Sequence, residues 1–252
     1  MLLDNEFLKL VLLALIGGLA GFINIFAGGG SLLTLPFLIF MGLPAPMANG
    51  TNRIAILVQN IFGTIRFHRF NVIPRGIILV TTIPAIAGSV IGAKIAIEID
   101  ELLFKRTLAI IMLVVMGLML CRPGRRLPEK IHLNPKKQIL LALSFFVVGV
   151  YGGFIQAGIG LFIIMVLTLT GYDLVRTNAL KILIVLIYTP FALSVFILNG
   201  QIDVLKGLVL SAGNATGAWL ATRIVVEKGH DFVRWLVMAA IVAFAIKLFW
   251  GG

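Results

Sequence analysis

Four amides, two cations and a run of glycines are the groups in this chain whose types and spacing could do chemistry together. Asn24 lies just before Gly28-Gly29-Gly30, which is followed at once by Ser31 and a new apolar segment. Gln156 lies just before a second glycine-broken stretch, Gly158-Ile159-Gly160. Downstream of each break stands a Thr-Asn pair, Thr51-Asn52 in the first case and Thr177-Asn178 in the second, with Arg53 directly after one and Lys181 three residues after the other. A backbone break inside a hydrophobic span is tolerated only where it is buried in protein or lines a cavity. A helix restarting there aims free N–H groups and the positive end of its dipole into that cavity. Amides donate and accept, and a guanidinium offers a forked donor suited to oxyanions. The chemistry these groups suit is the binding of a small anion. Each has a plainer use as well: the amides would satisfy freed backbone, and the two cations would snorkel to an interface or set topology.

The elements that hold these groups come in two copies. Gly21-Phe22-Ile23-Asn24 is answered by Gly153-Phe154-Ile155-Gln156, Thr51-Asn52 by Thr177-Asn178, and Gly88-x-x-x-Gly92-Ala93 by Gly213-x-x-x-Gly217-Ala218. Paired, glycine-broken apolar segments at corresponding places are the sequence mark of a secondary-transporter site. The second copy is degenerate, with Ile159 for the middle glycine, Leu161 in place of Ser31 and Val166 in place of Pro36. The two half-sites are therefore not chemically equivalent. The stripes Gly88/Gly92 and Gly213/Gly217 read as close helix packing.

The pattern GGGS-L-x-x-x-P, followed by G-x-P-x-x-x-A-x-x-T-N and a weaker second copy, resembles the TauE/SafE family of membrane proteins, over nearly the whole chain. The residues carrying it are Gly28, Gly29, Gly30, Ser31, Pro36, Thr51 and Asn52. The resemblance implies a transporter, and through the family's description an exporter of sulfite or organosulfur anions. It does not fix the substrate.

Composition agrees with a membrane protein. Of 252 residues, 60% are hydrophobic and 12% charged, with a mean hydropathy of +1.09. A soluble domain is about 45–50% apolar and about 25% charged. The net charge of +11 sits in short loops between apolar spans, the mark of topology and not of nucleic-acid binding. The single cysteine, Cys121, excludes an intramolecular disulfide. The three histidines fall in predicted loops, no H-E-x-x-H occurs, and neither a cofactor, a metal nor an enzymatic activity is expected. All ten carboxylates lie in loops or near predicted membrane boundaries, which argues against an intramembrane carboxylate relay and against a cation pathway.

Apolar run lengths predict a first helix from Glu6 to about Phe26, retained and not a signal peptide, then a short return segment from Ser31 to Met41. Gly42 to Gly50, with Pro44 and Pro46, reads as a loop, and Thr51 as the cap of a helix ending near Phe67. Helices near Gly76–Ile97 and Leu103–Cys121 complete a first repeat, residues 1–121. A basic linker, residues 122–137, precedes a second repeat, residues 138–252, with helices near Thr177–Leu198, Val204–Val225 and Phe232–Phe249. Arg66, Arg69, Arg75 and the linker place their loops in the cytoplasm. Five segments per half then put both termini outside and invert one half relative to the other. Gln59, Asn60, Thr64 and Tyr188 either line the path or bond between helices.

The expectation is thus an all-α polytopic protein of a bacterial-type inner membrane, built as two inverted-topology repeats with broken helices at the centre. It would carry a small anion by alternating access between the breaks, with the lipid bilayer as its other partner; a homodimer is one compatible assembly. Its rivals are an anion channel and a membrane scaffold without transport.

Overall fold

The computed structural model describes residues 6–69, 73–120, 134–168, 171 and 174–224. The expected last helix, Phe232–Phe249, and residues 122–133 of the expected linker lie outside these. Among the described residues every regular element is helical. α1 (Glu6–Ala27) ends where Gly28 takes a φ of +70°, a left-handed conformation that glycine enters without a Cβ penalty. α2 (Ser31–Phe40) follows, then α3 (Ala45–Arg69), a single 3-10 turn (Arg75–Ile77), α4 (Ile78–Glu98) and α5 (Glu101–Leu120). The remaining helices are α6 (Pro135–Phe154), α7 (Ile159–Thr168), α8 (Leu174–Leu198) and α9 (Val204–Ile224).

Local chemistry fixes several starts. Asp100 Oδ1 accepts from the N–H groups of Leu102 and Leu103 at the head of α5. Asn134 Oδ1 accepts from Lys137 N–H, with Pro135 at the first helical position of α6. α3 begins six residues earlier than the prolines suggested. Pro46 falls in its first turn, where a missing N–H costs nothing, and Pro44 O accepts from Ala48 N–H (2.8 Å). Thr51 is consequently not a cap. It is fully buried in the second turn, and its Oγ1 accepts from the backbone N–H of Asp203 (2.9 Å), tying α3 to the α8–α9 connection.

Among the described residues, four helical stretches are long and apolar enough to cross a membrane: Glu6–Ile25, Ile78–Glu98, Pro135–Phe154 and Val175–Leu198. Large apolar side chains such as Leu79, Ile83, Leu140, Val147 and Leu198 stand exposed on their outer faces. Such a surface belongs against lipid tails. The chain is a helical membrane protein.

The heaviest helix packing crosses between the first and second halves of the chain. α1 lies parallel to α9: Gly17 packs on Leu210, Gly21 on Asn214, and Gly217 on Gly18. α4 lies parallel to α6 in the same manner, with Gly88 on Phe146, Gly92 on Val150, and Gly153 on Ser89. At each of these contacts an added Cβ would collide with, or press hard against, backbone of the partner helix. The glycine stripes are therefore packing surfaces, as read from their spacing. α3 and α8 pack on each other, and each also packs on α9 or α4 from the other half.

Two outcomes follow for stability. Gly92→Leu drives a side chain into the Val150 carbonyl region, so the thermal midpoint in detergent should fall by the equivalent of about 1–3 kcal/mol. Gly117→Ala, where nothing lies within 4 Å, should leave it unchanged or slightly raised. The second concerns Asp203, outside the spans at the head of α9. Burial pushes its carboxyl up, but the hydrogen bonds from Lys206 (Nζ at 2.5 Å, N–H at 2.9 Å) and its charge outweigh this and hold it below its ordinary value. A carboxyl lowered by folding stabilises fully above the ordinary carboxylate range and loses that contribution as pH falls through its folded value. The acid limb of the thermal midpoint against pH should be flatter in Asp203→Asn, which keeps the cap, while Asp203→Ala should lose about 1 kcal/mol at neutral pH.

Candidate functional site

The two breaks meet in the middle of the molecule. The backbones of Gly28 and Gly160 touch, so that a Cβ on either would collide with the other. Gly28 and Gly158 adopt nearly the same left-handed φ, +70° and +71°. Beside this crossing lies a cavity of about 20 Å³, room for one water molecule. Its polar lining is Asn24, Ser31, Gln59, Asn60, Gln156 and Lys181; Ile56, Ile159, Gly160, Ile182 and Val185 complete it. The cavity thus takes residues from α1, α2, α3, α7 and α8 and from the second break. The starts of both short helices, Ser31 and Ile159, form part of its wall.

A helix that ends inside the protein leaves four carbonyls without intrahelical partners. For α6 all four are accounted for. Tyr151 O accepts from Ile155 N–H (3.0 Å), and Phe154 O from Asn49 Nδ2 (2.6 Å). Gly152 O accepts from Arg53 Nη1 (3.0 Å), and Gly153 O from Arg53 Nη2. Arg53 is fully buried, also donates to Gln156 Oε1 (3.3 Å) and Asn49 Oδ1 (3.4 Å), and has its guanidinium 4.8 Å from the centre of the Phe196 ring. The end of α1 is held from the opposite half. Asn178 Nδ2 donates to Ile25 O (2.8 Å), and Lys181 Nζ donates to Asn24 O (3.1 Å), which also accepts from Gly28 N–H. In both cases an amide and a cation of one half cap the broken helix of the other, where the negative end of the dipole favours positive charge.

Gln156 is the hinge of this network. It has a φ of 63°, which a non-glycine residue adopts only when its surroundings hold it there. Its side chain accepts from Arg53 and donates to Thr189 Oγ1 (3.2 Å) and Tyr188 (3.5 Å). On the other side of the cavity Asn24 Nδ2 donates to Gln59 Oε1 (3.2 Å). Among the described residues the buried polar set contains two cations, Arg53 and Lys181, and no carboxylate.

The structure distributes the sequence-derived residues as follows. Asn24, Ser31, Gln156, Gly160 and Lys181 line the cavity. Gly28 forms the crossing with Gly160, and Gly29, Gly30 and Gly158 shape the breaks, Gly30 against the Ala20 carbonyl and Gly158 against Val115 of α5. Arg53 and Asn178 bind carbonyls of the opposite half. Asn52 Oδ1 accepts from Thr34 Oγ1 of α2 (2.6 Å), Thr51 binds the Asp203 N–H, and Thr177 is buried in α8. Gln59 and Asn60, left between two uses by the sequence, are cavity residues, and Asn49, read as loop, is part of the α6 cap. A signal for them exists: Asn49, Arg53 and Asn60 are four and seven residues apart, as are Asn52 and Gln59 at seven. One face of a single helix gathers side chains at such spacings.

Comparison with known proteins shows the family. The sequence profile described as "Sulfite exporter TauE/SafE" matches residues 13–248. A "Probable membrane transporter protein" of Haemophilus influenzae is 30% identical over 235 residues, covering 91% of this chain and 90% of its own. The "Probable membrane transporter protein YfcA" of Escherichia coli K12 is 28% identical, with 96% and 90% covered. The "Probable membrane transporter protein ORF9" of a Sinorhizobium species is 24% identical, with 97% and 94% covered. No solved structure matches. With buried cations at two helix breaks, a cavity between them and a family match along nearly its whole length, the chain belongs to the TauE/SafE sulfite exporter family of membrane transport proteins.

Proposed function

We propose that this protein exports a small sulfur-containing anion, sulfite or an organosulfonate, by alternating access at the cavity between its two breaks. The observation that carries the anion class is the lining: one buried ammonium, four amides and a hydroxyl, with no carboxylate among the described residues that form it. A buried cation in a membrane protein calls for a partner, and an anion arriving in the cavity supplies one. The sulfur chemistry and the export direction come from the family description alone.

The cycle is read from the packing. The cavity has room for about one water, too little for a sulfur oxyanion, which requires the walls to part. Along α3, the Arg53 cap and the Phe196 ring close the cavity on one side. On the other, Gly63 packs against Ile182 and Ile25, which belong to an apolar layer with Ala218 and Ala221. Alternating access would part the walls on each side in turn, with the Arg53 cap carried intact on the end of α6. The reciprocal packing of α1 on α9 and α4 on α6, with the matched φ values at Gly28 and Gly158, supports two inverted repeats rocking about the crossing. The same reading keeps residues 1–121 and 138–252 as the repeats, with the Arg66–Arg69 end of α3 and the linker in the cytoplasm, both termini outside and the protein in an inner membrane. A closed cavity favours a carrier over an open channel.

Uptake into proteoliposomes tests this, using sulfite, sulfate, thiosulfate, methanesulfonate and acetate, with and without a pH gradient. Saturable uptake of a sulfur anion is expected. Flux without saturation would indicate a channel, and none of any anion by folded protein a scaffold. Lys181→Gln removes one charge-assisted donor, worth about 1.5–3 kcal/mol, so half-saturation should rise about tenfold or more. Arg53→Gln uncaps the Gly152 and Gly153 carbonyls and frees Gln156, and should lower both thermal midpoint and uptake. Wild-type uptake by folded Arg53→Gln protein would remove Arg53 from the site.

A further inference from the structure

Lys181 has two positions to serve at once. It lines the cavity, and its Nζ is bonded to the carbonyl of Asn24 in the last turn of α1. An ammonium has three N–H donors, so two are left for the cavity. Its present counter-charge is only the partial negative end of α1, and its side chain is 3% exposed. Against a carbonyl, a full anion makes the stronger hydrogen bond, by roughly a factor of two. Space adds to this preference. The cavity has room for about one water, and its wall includes Gly160, whose backbone touches Gly28, where Gly28 N–H shares the same Asn24 carbonyl with Lys181. An oxyanion enters only if that wall yields, and the wall is tied to α8 through the Lys181–Asn24 bond.

We propose that Lys181 exchanges the Asn24 carbonyl for the transported anion, so that substrate binding itself uncaps the broken end of α1 and releases the first break to move. The inference rests on the anion-site reading above and adds a coupling step to it. Arg53 is not the equivalent switch. Its fork is committed to two successive carbonyls and to Gln156, and it stands outside the cavity lining. The exchange makes the first break the moving part and leaves the second fixed. Asn178, which remains on the Ile25 carbonyl, keeps α1 docked to α8 while its last turn loosens.

Amide hydrogen exchange by mass spectrometry on the full chain in lipid nanodiscs tests it, with methanesulfonate as the probe and proteoliposome uptake of the same anion measured in parallel. In the wild type, exchange at residues 28–33 should rise several-fold with methanesulfonate, half-maximally at the concentration that half-saturates uptake, while residues 156–162 do not change. Lys181→Gln should exchange fast at 28–33 without the anion and gain nothing from it. Gln59→Ala, which leaves the Lys181–Asn24 bond in place, should show the wild-type rise at higher anion concentration. Saturable uptake accompanied by protection of 28–33 would overturn the exchange and leave the anion site standing. Neither uptake nor any change in exchange would overturn the anion-site reading, and the exchange with it.

Discussion

A helix whose last turn is buried inside the protein must find partners for its last carbonyls without water, and most of this structure answers that demand. Each unsatisfied group in hydrocarbon costs several kcal/mol. At the end of α6 the donors are Ile155, Asn49 and the two terminal nitrogens of Arg53; at the end of α1 they include Asn178, Lys181 and Gly28. Because each cap comes from the other half of the chain, neither broken helix is stable without the opposite half. The glycine contacts of α1 on α9 and α4 on α6 join the same two halves through their backbones. Packing and capping are thus one constraint, met twice.

That constraint also creates the polar centre. Cations are brought into the interior to satisfy dipole ends, and no buried carboxylate among the described residues neutralises them. A helix C-terminus carries about half an elementary charge, so a full cation placed there is under-compensated. The surplus positive potential is available to a solute. The fold therefore needs no dedicated anion trap beyond the groups that stabilise its breaks, which is why amides that satisfy backbone and amides that line the cavity are neighbours on the same helix faces.

Much of this was legible in the sequence. The all-helical architecture, the packing stripes and the glycines at which the chain turns left-handed, Gly28 and Gly158, are local patterns, and each has a direct counterpart among the described residues. The start of α3 was not legible, because Pro44 and Pro46 signal a loop as readily as a first helical turn, and that hid Asn49 and misassigned Thr51 as a cap. Nor could spacing show that Arg53 would face the carbonyls of Gly152 and Gly153, about a hundred residues away. Which half caps which is a property of the packing of α3 and α8, and nothing in one strand of sequence records it. Among the amides, Asn178 and Asn49 hold backbone carbonyls, Asn52 accepts from Thr34, and Asn24, Gln59 and Gln156 bond to side chains around the cavity.

The degenerate second copy has a physical consequence in the choice of cation. Arginine's planar fork fits two consecutive carbonyls and loses little freedom in doing so; lysine presents one compact charge on a flexible stem. The α6 end, with the fork and four satisfied carbonyls, is the more firmly latched. The α1 end, bound through single donors, is the one whose cap can be lent to something else. Asymmetry of this kind suits a carrier. On the proposed alternating-access cycle, two identical caps of arginine would fix both breaks and two of lysine would leave both loose, whereas one of each would give a fixed wall against which a moving wall could open and close.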